Sequence, residues 1–345
     1  MKILDFRSDT ITKPTEEMRK AMYQAEVGDD VYGEDPTINK LEEMARELLG
    51  KESALFVPSG TMGNQLALLS HTERSQEIIL EDWSHIYRYE GGGLAFLSGL
   101  QAKPIKGKNG IMKVEDIKNA IVQDNDFHHA QTGLICMENT HNMAGGVVLP
   151  LKRMKEIYNL AKNHKLPVHL DGARVFNAAS YLGVDVREIT KYTDSLMVCL
   201  SKGLCSPVGS ILAGSKDFID KAKNYRKMLG GGIRQGGVLA AAGIVSLTKM
   251  IDRLEEDHQK IYRLAEGLKE IKGIKINDDT VQTNILMIDI SNTSFTSDEL
   301  VNRMKNEGIL ASSITNDIIR FVSHYYIEDE DINYTIDKIN SIIDI

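Results

Sequence analysis

From residue 53 to about residue 214, short apolar runs alternate with helical stretches, and that order leaves few folds open. Segments 53–57, 78–80, 133–137, 167–171 and 195–200 read as strands that are apolar on both faces. Helical patterns over 65–70, 114–123 and 151–164 lie between them. Strands of this kind need covering layers on both sides, which predicts an α/β fold on a mostly parallel sheet. Ligands in such sheets gather at the carboxyl ends of strands, where Gly60, His85, Asp171 and Lys202 all fall.

The flanks have a different texture. Residues 1–13 read as an extended arm carrying Arg7-Ser8-Asp9-Thr10, and Pro14 then opens a helix over 16–24. A following helix places Leu41, Met44, Ala45 and Leu48 on one face. One long helix is expected over 238–271. Strands near 284–290 and 309–323 and helices near 297–306 and 329–343 then suggest a small α+β domain. The expected organisation is an arm (1–13), a large domain (14–250) and a small C-terminal domain (251–345). With 345 residues the chain can bury two cores.

Two strand ends carry complementary chemistry. The run ending in Leu200-Ser201-Lys202-Gly203 finishes on an amine, and Val168-His169-Leu170-Asp171 finishes on an acid. Pyridoxal phosphate asks for this pair, a lysine for a Schiff base and an acid for the pyridinium nitrogen. Taken singly, they could be a surface lysine and a helix-capping aspartate. The turn Pro58-Ser59-Gly60-Thr61-Met62-Gly63-Asn64, between a strand and a helix, would present free N–H groups and a dipole end to an anion. It is neither a dinucleotide nor a nucleoside-triphosphate motif, so a phosphate monoester suits it better. His85, just past a strand end, could lie over a planar ring or simply cap its own helix. Arg320 sits on a strand of the small domain with Val322 and His324 on its face, where it could equally be a solvated edge residue.

Composition narrows the class. A formal net charge of −8 argues against nucleic acid as the main partner. The longest apolar run, 238–247, is too short to span a bilayer, so no membrane role is expected. The first seven residues lack an apolar signal region, and the three cysteines, Cys136, Cys199 and Cys205, show no Cys-x-x-Cys spacing. The expectation is a cytoplasmic protein with reduced thiols.

With these residues in place, the chain closely resembles the low-specificity L-threonine aldolases, fold-type I enzymes that use pyridoxal 5'-phosphate. The likeness runs through 6–10, Val27-Gly28-Asp29-Asp30-Val31-Tyr32-Gly33, 58–64, Glu138-Asn139-Thr140-His141-Asn142, 169–174, 200–204 and Gly230-Gly231-Gly232-Ile233-Arg234-Gln235. It implies a seven-stranded sheet in the large domain and retro-aldol cleavage of L-threonine and L-allo-threonine to glycine and acetaldehyde.

The resemblance also implies residue roles. Lys202 would carry the cofactor, Asp171 would pair with its ring nitrogen, and His85 would stack on its face. Gly60 and Thr61 would bind the phosphate, together with Arg234 and Lys227 of a neighbouring subunit. Ser8, Arg174 and Arg320 would hold the substrate carboxylate, with Arg174 also at the cofactor, and Tyr32 would come from the partner. His85 and His128 both qualify as the catalytic base. A tetramer of dimers with shared sites is expected, and no metal. An aminotransferase or β-eliminating lyase would use the same lysine and aspartate, and a non-catalytic scaffold would need no Lys202.

Overall fold

A computed structural model of the chain describes residues 2–124 and 126–344. Its strands are β1 (Leu4–Asp5), β2 (Ser53–Val57), β3 (Glu77–Glu81), β4 (Gln101–Ile105), β5 (Thr132–Glu138) and β6 (Val168–Asp171). They continue with β7 (Ser195–Cys199), β8 (Ser210–Gly214), β9 (Ile285–Asp289), β10 (Ile309–Leu310), β11 (Ser312–Ser313) and β12 (Ile318–Val322). Seven of these form one sheet in the order β2-β8-β7-β6-β5-β3-β4. It is parallel from β7 through β4, whereas β8 runs antiparallel to both its neighbours. The fold is therefore the α/β architecture expected, with a mostly parallel seven-stranded sheet.

Local chemistry explains the elements that frame the sheet's carboxyl edge. The helix Gly60–His71 starts at Ser59, whose Oγ accepts from Met62 N at 3.2 Å. A Cβ on Gly60 would lie 2.9 Å from Cys199 Sγ, so only glycine lets this helix tip close onto β7. The return from β7 to β8 turns at Gly209, whose φ is +103° and whose Cβ would strike the Phe56 ring at 2.4 Å. The helix Pro36–Leu49 is capped by Asp35, which accepts from the amides of Thr37 and Ile38. It buries Ile38, Leu41, Ala45 and Leu49, while Met44 and Leu48 stay half-buried, so the inward face is rotated from the one expected.

The long helix expected over 238–271 is broken. It divides into Gly237–Val245, a π-helical turn Ser246–Met250 and Leu254–Lys269. Ser246 Oγ donates to Leu204 O at 2.8 Å and contacts Ser206 Oγ at 2.7 Å. Thr248 Oγ1 donates to Ile244 O at 2.8 Å. The Thr248 bond competes with the helical ladder at Ile244 O, and the Ser246 bond ties this turn to the segment behind Lys202.

The C-terminal region has its own sheet, ordered β11-β12-β9, and its own core around Leu264, Leu300, Ile319 and Phe321. The N-terminal arm joins it. Strand β1 pairs in parallel with β10, and the Phe6 ring meets Phe321 edge-on at 5.8 Å. The arm's next residues, Ser8 and Asp9, are thereby delivered to the cleft between the two cores. Among the described residues no helix is long and apolar enough to cross a membrane.

Candidate active site

A cavity of about 510 Å³ opens at the carboxyl edge of the large sheet. Ser8, His85, Asn142, Arg174, Lys202 and Arg320 line it. Lys202 comes from the turn after β7, Arg174 from the turn after β6, His85 from the segment after β3, and Arg320 from β12 of the small sheet. Adjacent parallel strands β6 and β7 thus bring Asp171 and Lys202 to one edge, as their sequences anticipate.

Charge in this cavity is unevenly satisfied. Arg174 is buried and makes a two-pronged pair with the fully buried Asp9, Nη2 to Oδ1 at 2.7 Å and Nε to Oδ2 at 2.8 Å. Burial alone would raise the Asp9 carboxyl, but Arg174, Lys202 and the Asn284 amide outweigh it and hold it at about 2. Arg320 differs. Among the described residues its guanidinium reaches only carbonyl-type oxygens, Asn142 Oδ1 at 3.3 Å and Arg7 O at 3.2 Å, and its buried Nε has no partner. Burial and the neighbouring Arg174 both lower its pKa, and among the described residues no carboxylate pairs with it. Lys202 likewise has no carboxylate partner among them.

Asp171 is buried at the end of β6 and is held by two N–H donors. Its Oδ2 accepts from Asn64 Nδ2 at 2.9 Å and its Oδ1 from Ala173 N at 3.1 Å. His85 Nδ1 lies 3.1 Å from Glu90 Oε1, and its backbone N donates to Glu138 Oε2 at 2.7 Å. Burial lowers the His85 imidazole, but Glu90 and Asp171 raise it by more, and the net shift is upward. The ligand atoms of His85, Glu90 and Asp171 lie within 4.8 Å of one another, yet their carboxylate oxygens already accept N–H groups, which leaves a metal ion poorly served.

Gly60 and Thr61 stand at the tip of the helix beside β7, where their amides have no acceptor within the helix. The remaining expected residues lie elsewhere in this chain. Tyr32 is 75% exposed, and Arg234 Nη1 pairs with Asp29 Oδ2 at 3.0 Å on the same outer surface as Lys227. None of the three lines the cavity. His128 is exposed, pairs with Asp126 at 2.7 Å, and sits beside Glu77 and Gln101 where β3 and β4 begin, at the opposite edge of the sheet.

Residues 5–291 match the family described as beta-eliminating lyases. Low-specificity L-threonine aldolase 1 of Arabidopsis thaliana is 45% identical over 340 residues, covering 97% of this chain and 95% of that protein. The low specificity L-threonine aldolase of Escherichia coli K12 is 43% identical over 329 residues, covering 95% and 96%. The chain belongs to this lyase family, in its threonine aldolase branch. The fold agrees, since the solved Leishmania major threonine aldolase superposes with a TM-score of 0.86 over 99% of both chains at 19% identity.

Some members of this candidate site carry no signal in their own sequence. Asp9 and Asn64 stand inside recognisable motifs, but nothing local shows that one neutralises Arg174 or that the other contacts Asp171. Glu90 precedes Gly91-Gly92-Gly93 and reads simply as the end of a helix.

Proposed function

We propose that this chain is a pyridoxal 5'-phosphate-dependent aldehyde-lyase that cleaves L-threonine and L-allo-threonine to glycine and acetaldehyde. The observation that carries the reading is Arg320, a guanidinium with no counter-charge among the described residues, facing the cavity that holds Lys202. An amino-acid carboxylate is the group it lacks.

The residues fit the cofactor. Lys202 would hold it covalently, Asp171 would meet its ring nitrogen, His85 would cover its face, and the Gly60 and Thr61 amides would receive its phosphate. When bound, pyridoxal phosphate supplies a sink for the electron pair left at Cα. The chain's own work is orientation and proton transfer. Arg320, Arg174 and Ser8 hold the substrate carboxylate, which sets which bond at Cα stands perpendicular to the ring. His85 takes the β-hydroxyl proton as the Cα–Cβ bond breaks and the aldehyde leaves.

Residues 14–250 then act as the unit that holds the cofactor and 251–345 as the unit that brings Arg320. Tyr32, Lys227 and Arg234 serve a neighbouring subunit's site, in a tetramer of site-sharing dimers. The buried, unpaired Cys136, Cys199 and Cys205 suit a cytoplasmic enzyme of glycine formation and threonine breakdown.

Purified protein should be yellow, and borohydride should fix the cofactor to Lys202. L-Threonine should give glycine and acetaldehyde with no oxo acid added. Release of ammonia and 2-oxobutyrate, or a requirement for an oxo acid, would replace this reading with an eliminating lyase or an aminotransferase.

A further inference from the structure

Behind His85 lies a buried chain of hydrogen bonds that starts at Glu90. The Glu90 side chain is fully buried, with Oε1 3.1 Å from His85 Nδ1. The same Oε1 accepts from Asn64 Nδ2 at 2.8 Å, and Oε2 accepts from Gln65 Nε2 at 2.7 Å. Asn64 Nδ2 also donates to Asp171 Oδ2 at 2.9 Å. One amide therefore joins the acid beside His85 to the acid at the end of β6.

The protons can be placed from the far end of this chain. His169 is wholly buried, and burial pushes its imidazole down to about 3, so it is neutral with a single N–H. Its Nδ1 lies 2.8 Å from Ser195 Oγ and its Nε2 3.1 Å from Asn64 Oδ1. An amide oxygen only accepts, so His169 Nε2 carries the hydrogen and Nδ1 accepts from the Ser195 hydroxyl. This fixes the Asn64 amide, because turned around its oxygen would face two carboxylate oxygens. Glu90 Oε1 is then an acceptor towards both neighbours, and His85 Nδ1 is the donor. His85 Nε2 is left with no protein partner among the described residues.

We propose that Glu90 is a positioning residue for the aldol step. It holds His85 as the Nδ1–H tautomer, with Nε2 free for the substrate's β-hydroxyl proton, while Asn64 locks that pair to Asp171. This rests on the threonine reading above. In the step the β-hydroxyl O–H bond breaks and its proton joins Nε2. The oxygen's electron pair forms the aldehyde C=O as Cα–Cβ breaks, and the pair from that bond remains at Cα. The imidazolium so formed already has its other N–H on a buried carboxylate, which offsets the charge where it develops. Besides Glu90, the charged groups facing His85 are Asp171 and Lys202 at the ends of β6 and β7 and Glu138 at the end of β5. Of these, Lys202 opposes protonation and Asp171 favours it.

Glu90→Gln keeps the volume, removes the charge and places an NH₂ where an acceptor stood. Ring ¹⁵N shifts of His85, followed through a pH titration of cofactor-free protein, should show Nδ1–H in the wild type. In E90Q the His85 pKa should fall by about one unit or more. With cofactor bound, kcat for threonine should drop about 10²–10⁴-fold. KM should change little, because Arg174 and Arg320 are untouched, and Glu90→Asp should recover part of both effects. An Nε2–H tautomer in the wild type overturns the proposal, and that measurement needs no variant to fold. An unshifted His85 pKa or an undiminished kcat in E90Q overturns it as well. A wild type that shows Nδ1–H but cannot cleave threonine supports the Glu90 hold on His85 and sinks the substrate reading instead.

Discussion

Arg174 and Arg320 converge on one oxygen, with Nη1 of each donating to Asn142 Oδ1 at 3.4 and 3.3 Å. They come from different cores, one after β6 and the other on β12. The first is neutralised by Asp9, and the second lacks a counter-charge among the described residues. The junction of the two cores is thus built one carboxylate short.

That asymmetry makes Arg320→Lys informative. The variant should fold and bind cofactor normally, since the Arg320 side chain bonds only to Asn142 Oδ1 and Arg7 O among the described residues. A hydrogen bond to a charged group is worth about 1.5–3 kcal/mol, so losing one prong should cost about ten- to hundredfold in kcat/KM. Because the proposed clamp would orient the scissile bond, part of the loss should appear in kcat. Steady-state kinetics with L-threonine checks this, and wild-type values would mean that Arg174 and Ser8 suffice.

Asp9 should tie stability to pH in a defined window. Its folded pKa, about 2, lies below the ordinary carboxylate value near 3.8. Its contribution is therefore complete above the unfolded value and is lost as pH falls through the folded one. Tm of the wild type should drop between about pH 4 and pH 2, and Asp9→Asn should lack this part of the slope. The variant should also be less stable at neutral pH by about 3–5 kcal/mol, because Arg174 stays buried without its partner. Thermal melts across pH test both statements.

His85 and His128 should separate cleanly. His85→Asn should weaken cofactor retention and lower kcat by about 10²–10⁴-fold, as loss of a general base does. His128→Asn should leave cofactor retention unchanged, since its ring lies at the far edge of the sheet in its own chain. Absorbance of bound cofactor after dialysis, together with kcat at saturating cofactor, distinguishes the two. Undiminished kcat in His85→Asn would remove it as an essential base.

Subunit exchange tests the residues that point outward. Lys202→Ala and Arg234→Ala proteins should each be nearly inactive. Mixed and allowed to exchange, they should regain activity, because some sites then pair an intact Lys202 with an intact Arg234 from the neighbour. Failure of the mixture to exceed its parents would confine Arg234 to its Asp29 ion pair.

Periodicity and punctuation carried much of this molecule. Apolar runs of strand length separated by helical patterns already required a mostly parallel sheet, because such strands must be covered on both faces. Placing Asp171 and Lys202 at strand ends required them to share an edge once their strands were parallel neighbours. The small domain's helices were equally legible from their own apolar spacing, and Ser297–Asn306 and Asp329–Ile343 lie where it put them. Local signals of this kind are written within a dozen residues. What tertiary structure decided are contacts whose partners are far apart in the chain. Asp9 meets Arg174 across 165 positions, Asn64 meets Asp171 across 107, and Ser246, at the π turn, meets Leu204 across 42. No residue in those pairs shows its partner in its neighbourhood, because a buried charge or amide is satisfied by whatever the packed fold brings to it.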